Sequence, residues 1–320
     1  MKRVWTAALV ALLLFGVARM VLASGSKEFK VGITVIVSHP ALEADQKGFE
    51  QALADAGLKV KYDIQNAQGE MANAQTIAQK FKHEKIDLVH AIATPTAQAA
   101  VKAIKNIPVV YSSVTDPVTA GLVKSMGPSG TNVTGVSDMT PVFHQIELYK
   151  EMMPNAKKWG TIYNAGEANA VVLNNLAKAA ARKLGLEWVE VTVANSSEIY
   201  TAAQSLAGRV DAIYISTDNT VVSGLAALVK VANQKKIPVF AADTSSVKGG
   251  ACAALGFNYF QVGYSAGKKA AMILNGRKKA GQIPSGYAEK LSLWVSPDNA
   301  KAQGLEIPAK YIKMAEKIVK

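Results

Sequence analysis

Cysteine is almost absent from this chain: Cys252 is the only one in 320 residues. A disulfide within the chain is excluded, and so is a cysteine cluster for zinc or iron–sulfur chemistry. Cys252 lies among Ala251, Ala253 and Ala254, the setting of a small buried apolar side chain. Histidine is scarce as well. His39, His83, His90 and His144 show no ligand spacing, and His83-Glu84 lacks the second histidine of a zinc helix. No metal or cofactor is expected. Low-complexity tracts are missing, and no carboxylate pair stands out as an acid/base couple. Beyond residue 23 no segment is long and apolar enough to span a bilayer.

The first residues read as a secretory signal. Lys2 and Arg3 give a basic start, residues 7–17 an apolar run, and Val21-Leu-Ala23 a small-residue cleavage pattern, with cleavage expected after Ala23. The formal charge of +12 falls to about +9 without Lys2, Arg3 and Arg19. The remaining lysines are spread over helices and the tail. That pattern describes a solvated face, and nucleic acid is not an expected partner.

The most informative stretch is Val210-Asp-Ala-Ile-Tyr-Ile-Ser-Thr-Asp-Asn-Thr220. Its first half is a short β-rich apolar run, a buried strand. Its second half is polar and precedes a helical pattern over residues 221–234. Polar side chains therefore stand where a strand ends and a helix begins, the position at which open parallel sheets bind ligands. Ile86-Asp-Leu-Val-His-Ala-Ile-Ala-Thr-Pro-Thr-Ala-Gln98 repeats the design, and both copies lead to an Ile-Pro-Val strand, at 107–109 and 237–239.

Strands alternate with helices along the chain, which indicates right-handed βαβ units. Residues 132–141 read as a first crossing to a second lobe, 253–260 as a second crossing and 291–295 as a third. The expected fold is α/β: two doubly wound parallel-sheet lobes joined by a multi-crossing hinge. Residues 24–137 and 256–290 form one lobe, and 138–255 with 291–320 the other.

Gly263-Tyr-Ser-Ala-Gly267 matches the nucleophile-elbow pattern, but it falls within a helical stretch and no histidine follows residue 144. Close helix packing explains the two glycines better than catalysis by Ser265. Gly267-Lys268 lacks the spacing of a phosphate loop. What remains is a set of polar groups at strand ends: Ser38, Thr94, Pro95, Thr96, Ser112, Asp116, Asn164, Glu167, Asn169, Asp218, Asn219 and Asp243. Hydroxyls and helix N-termini suit a ligand carboxylate, and the acidic side chains suit an ammonium group. A zwitterion such as an amino acid fits; a sugar also uses Asp and Asn.

The chain resembles the ABC-transporter substrate-binding proteins of the tryptophan/tyrosine type. The resemblance lies in His39-Pro-Ala-Leu42, Asn66-Ala-Gln-Gly69, Ala91-Ile-Ala-Thr-Pro95 with Ala97-Gln98, Thr115-Asp-Pro117, Asn132-Val-Thr-Gly135, Tyr163-Asn164 with Gly166-Glu-Ala-Asn169, Thr217-Asp-Asn219 and Ala254-Leu-Gly256. It implies the type I periplasmic-binding fold and a monomeric, non-enzymatic periplasmic receptor. Such a receptor closes on a small molecule, here an amino acid with an aromatic or large apolar side chain. It then hands that molecule to an ABC permease in the inner membrane. Tyr111, Phe143 and Tyr163 are the candidate aromatic contacts. Ala170, Ser296 and Tyr111-Ser-Ser113 depart from the family pattern. The alternatives are a sugar or nucleoside receptor of the same fold, or a secreted sensor or hydrolase.

Overall fold

A computed structural model describes residues 27–320; the expected export signal lies outside them. Its strands are β1 (Glu28–Val35), β2 (Lys59–Asn66), β3 (Leu88–Ile92), β4 (Val109–Val114), β5 (Val133–Ser137), β6 (Lys158–Asn164), β7 (Glu187–Val193), β8 (Ala212–Ile215), β9 (Val239–Ala241), β10 (Ala253–Phe257), β11 (Gly286–Tyr287), β12 (Leu291–Val295) and β13 (Lys317–Ile318). The α-helices are α1 (Pro40–Asp55), α2 (Met71–His83), α3 (Thr94–Ala103), α4 (Val142–Met152), α5 (Ala168–Lys183), α6 (Ile199–Leu206), α7 (Asn219–Ser223), α8 (Leu225–Lys235), α9 (Ser245–Lys248), α10 (Tyr259–Leu274), α11 (Pro297–Ala302) and α12 (Ala309–Met314).

Among the described residues the strands form two sheets, ordered β2-β1-β3-β4-β5-β11 and β7-β6-β8-β9-β10-β12-β13. Counted within each lobe, the first five positions of both sheets run 2-1-3-4-5. The strand order therefore reverses between β1 and β3, and again between β6 and β8. Ligands of doubly wound sheets bind at such switch points. Every pairing is parallel except β10 with β12, which is antiparallel. Strands covered on both faces read as apolar runs. Accordingly β3, β8 and β9 are buried throughout.

Three segments cross between the lobes. Residues 138–141 carry the chain from β5 to α4, whose Val142, Ile146 and Tyr149 lie in the second lobe's core. The stretch 253–257, read from sequence as part of a crossing, is a strand of the second sheet. The crossing follows it at Asn258, which caps α10 through its side chain. Likewise Leu291–Val295 is a strand, and its crossing precedes it at 288–290. Short apolar runs flanked by turns look alike whether they cross or pair; only the partner strand tells them apart.

In the first lobe α1 and α10 pack backbone to backbone. A Cβ at Gly263 would run into the Asp45 carbonyl, and one at Gly48 into the Phe260 carbonyl; at Gly267 it would stand 2.6 Å from the Ala52 Cβ. The glycines of the elbow-like motif therefore let two helices touch, and Ser265 sits inside α10 rather than on a strand-to-helix turn. The helix expected over 221–234 is broken at Gly224, where a Cβ would meet Ile199 Cγ1 at 2.8 Å.

Candidate functional site

The carboxyl ends of both sheets face each other across the gap between the lobes. From the first lobe come His39, Ala41, Leu42 and Ser113; from the second, Asn169, Thr217, Asp218, Asn219, Val222 and Asp243. Asp138 and Tyr259 stand at the first two crossings, and together these residues line one enclosed cavity. The free space is about 20 Å³, about enough for one water molecule. An open cleft of about 590 Å³ lies farther out between the lobes, bounded by Ile36, Glu70, Met71 and Pro95 on one side and Asn164–Glu167, Val193 and Glu198 on the other. A small hollow borders both, touching Ile36 and Glu167 of the cleft and Asn219 of the cavity.

The cavity is acidic. Asp138, Asp218 and Asp243 are all almost wholly buried, and no Lys or Arg lines the wall. The three carboxylates are held differently. Asp218 caps α7, accepting from Val221 N at 2.9 Å, while its other oxygen accepts from Asn164 N at 2.6 Å. Asp243 caps α9, accepting from the amide and hydroxyl of Ser246. Asp138 Oδ2 accepts from the Tyr259 hydroxyl at 2.8 Å, but Asp138 Oδ1 is buried with no hydrogen-bond partner, although the Thr115 side chain stands near enough to favour the charged carboxylate. Burial drives all three toward the neutral acid. It pushes Asp138 up to about 6, with the charge of Asp243 adding to the shift. Asp243 is raised by burial, and Asp218 by burial and then by the charge of Glu167.

Glu167 is a second carboxylate on the α7 N-terminus. Its Oε1 accepts from Thr220 N at 3.0 Å and Thr220 Oγ1 at 2.7 Å. Its Oε2 accepts from Asn219 Nδ2 at 2.5 Å, Asn169 Nδ2 at 3.2 Å and Asn219 N at 3.3 Å. One side chain thus fixes two wall residues, Asn169 and Asn219, and the helix residue Thr220 behind them. A helix this short cannot supply that order itself.

Behind the first-lobe wall, the Ser112 and Ser113 hydroxyls donate to Asp45, and His90 Nε2 lies 2.7 Å from Ser112 Oγ. His90 stacks on Phe49 at 3.7 Å. Burial pushes Asp45 up to about 7 and His90 down to about 3, so His90 is neutral and the two form no ion pair despite a 3.7 Å approach. The hydroxyl stands between imidazole and carboxylate, the reverse of nucleophilic triads, and Ser112 is wholly buried. Two non-glycine residues at these strand ends hold a positive φ: Ala93 at 79° and Ser113 at 52°. Such strain costs about 1–3 kcal/mol each and clusters at functional edges.

Of the residues singled out from sequence, Asn169, Asp218, Asn219 and Asp243 line the cavity, and Pro95, Asn164 and Glu167 line the outer cleft. Thr94 is buried with its hydroxyl unpartnered. Four residues stand elsewhere. Ser38 is exposed and accepts from Asn66. The Thr96 hydroxyl is spent on the carbonyls of Ile92 and Ala93. Ser112 belongs to the network behind the wall, and Asp116 caps its own turn through Val118 N and Thr119 N. Tyr111, Phe143 and Tyr163 are not on the cavity wall; its aromatic is Tyr259. Sequence reasoning missed Asp138, Tyr259 and Ser113, and left His39 undecided. His39 is buried with both ring nitrogens unpartnered, and burial pushes it down to about 4. Its signal was present: it stands between the first strand and α1, beside a switch point. Among the described residues no group of acidic, His or Cys side chains is arranged to hold a metal ion.

Two equivalent lobes with a polar, enclosed cavity between their switch points define a two-lobed solute-binding protein. Comparison with known proteins places it further. The chain belongs to the ABC transporter substrate-binding protein family, whose model matches residues 30–319. It is 42% identical over 298 residues to the Tyrosine-binding protein of Clostridioides difficile (strain R20291), covering 91% of this chain and 86% of that one. The structure superposes with a TM-score of 0.87 on an ABC domain from Streptococcus pneumonia in complex with L-Trp, at 33% identity, over 92% of this chain and 100% of that chain. A ligand-free, open substrate-binding protein with adhesive properties from Clostridium difficile is 41% identical over 91% of this chain and 99% of its own, yet superposes at only 0.67. The less similar sequence gives the better superposition, and in this chain both lobes meet around a cavity of about 20 Å³.

Proposed function

We propose that the chain is an exported receptor that captures an amino acid with an aromatic side chain between its lobes and presents the closed form to an ABC permease in the inner membrane. The observation that carries this reading is the set of three buried carboxylates around the cavity, with no basic side chain on its wall. Such a wall is complementary to an ammonium group. A ligand carboxylate has the uncapped N-terminus of α3, which reaches the outer cleft at Pro95 and carries the unpartnered Thr94 hydroxyl. The side-chain class is taken from the tyrosine and L-Trp named for two relatives.

Because the residual cavity holds about one water, entry requires the lobes to part and to close again around the ligand, a hinge motion about the three crossings. The ligand stabilises the closed state only through its greater affinity for that state. The reading assigns no chemistry to the site: the receptor is a monomer, periplasmic, and not an enzyme. Isothermal titration calorimetry against the twenty amino acids, a sugar panel and nucleosides tests it. Saturable binding of tyrosine or tryptophan is expected, and binding of sugars or nucleosides alone refutes it.

A further inference from the structure

The carboxylates around the cavity are not equivalent, and the difference lies in what their oxygens already do. Both oxygens of Asp218 accept backbone amides, and both of Asp243 are engaged by Ser246. Those four oxygens hold the starts of α7 and α9 and the end of β6 in place. Asp138 Oδ1 has no partner, although the residue is only 3% exposed and lines the cavity. A buried, unpartnered carboxylate oxygen is costly unless something fills its place.

Position adds a second argument. Asp138 is the first residue of the crossing that leaves β5, and Tyr259 follows directly on the crossing that leaves β10. Their 2.8 Å hydrogen bond ties two of the three hinge segments together on the cavity wall. Asp138, Asp243 and Asp45 all lie near enough to the Tyr259 hydroxyl to act on it, so acidic side chains gather at this corner of the wall.

We propose that Asp138 Oδ1 receives the ligand's ammonium group and that this contact, made at the hinge, is the chief determinant selecting an amine-bearing ligand. The inference rests on the amino-acid reading of the site. It assigns Asp218, Asp243 and Glu167 to holding the wall, and Tyr259 to positioning Asp138. A charge-assisted hydrogen bond of this kind is worth roughly 10- to 100-fold in affinity.

The experiment compares tyrosine and tryptophan with their deaminated analogues, 3-(4-hydroxyphenyl)propanoate and indole-3-propanoate, by calorimetry on the wild-type chain, D138N and Y259F. Wild type is expected to favour the amino acid by about 100-fold or more. In D138N that ratio should fall roughly 10- to 100-fold, through weaker amino-acid binding with little change for the analogue. Y259F keeps the carboxylate but frees it from its support, and should narrow the ratio less. An unchanged ratio in D138N, or an equal loss for both ligand classes, overturns the assignment. Melting of each empty variant shows whether it folds; if D138N does not, an unchanged ratio in Y259F overturns it instead. Failure of wild type to bind any amino acid overturns the amino-acid reading together with this one, an outcome distinct from amino-acid binding that ignores Asp138.

Discussion

Glu167→Gln gives the sharpest test of how the second-lobe wall is held. The carboxylate collects five hydrogen bonds from Asn169, Asn219 and Thr220. An amide keeps one acceptor oxygen, so one group of donors must face an NH2. The less damaging choice puts the NH2 at the Oε1 position, because the Thr220 hydroxyl there can turn and accept. One backbone amide, Thr220 N, is then left unpaired in a buried site, at a cost of about 1–3 kcal/mol. The three bonds retained at Oε2 lose their charge assistance, about 0.5–1 kcal/mol each. Against this, the negative charge that helps raise Asp218 is removed, which returns part of the loss. The net expectation is a destabilisation of about 2–4 kcal/mol. Urea unfolding followed by tryptophan fluorescence is suited to it, because Trp159, Trp188 and Trp294 all lie in the second lobe. Ligand affinity should fall in the same variant, since the wall residues Asn169 and Asn219 are held less firmly. A stability change below about 1 kcal/mol, the scale of a surface ion pair, would refute the idea that this carboxylate organises the wall.

Gly263→Ala should destabilise the first lobe by about 1–3 kcal/mol or more, because its new methyl group meets the backbone of α1 rather than a movable side chain; a melting temperature within a degree of wild type would contradict the packing. The empty protein should lose stability as pH rises from about 4 to about 8, the span between the ordinary aspartate value and the raised value of about 8 for Asp218. Asp45 and Asp138 are raised to about 7 and about 6, so the folded chain holds protons there that the unfolded chain has already released, and their contribution is lost as pH climbs through those values. The buried His39 and His90, lowered to about 4 and about 3, act in the opposite sense below about 6.5, but they offset only part of a loss to which Asp45, Asp138, Asp218 and Asp243 all contribute. Thermal protection by an amine-bearing ligand should be larger at pH 8 than at pH 5.5, because the ammonium offsets the charge that burial penalises on Asp138. Small-angle scattering should show a larger radius of gyration for the ligand-free protein than for the tyrosine- or tryptophan-saturated one; identical curves would remove the need for lobe opening.

The repeated strand, polar cluster and helix announced two α/β lobes because each piece of that signal is local. A strand that ends in Ser-Thr-Asp-Asn before a helical pattern is legible in any window of ten residues. Glu167, Asp218 and Asn219 were visible for that reason. The sequence could not say which polar group faces the ligand and which holds the wall, because that division depends on partners distant in the chain. Asn164 N, 54 positions away, occupies one oxygen of Asp218. Ser112 looked like a wall residue of the first lobe, yet Asp45, 67 positions away, draws its hydroxyl inward. Its neighbour Ser113, at a positive φ, lines the cavity even though Asp45 takes its hydroxyl too.

Asp138 is the harder case. It stands between Ser137 and Met139, in a segment whose only local signal is the end of one sheet. Its importance comes from Tyr259, 121 positions later, which meets it where two hinge segments run side by side. Strand ends belong to one lobe each and can be read one lobe at a time. A hinge belongs to both, so its contacts exist only after the chain has crossed between the lobes more than once. A residue at that point can sense ligand and closure together, because any change in the angle between the lobes passes through the backbone that carries it. The strand-end residues shape the cavity, whereas the residue at the crossing ties what fills it to the motion that shuts it.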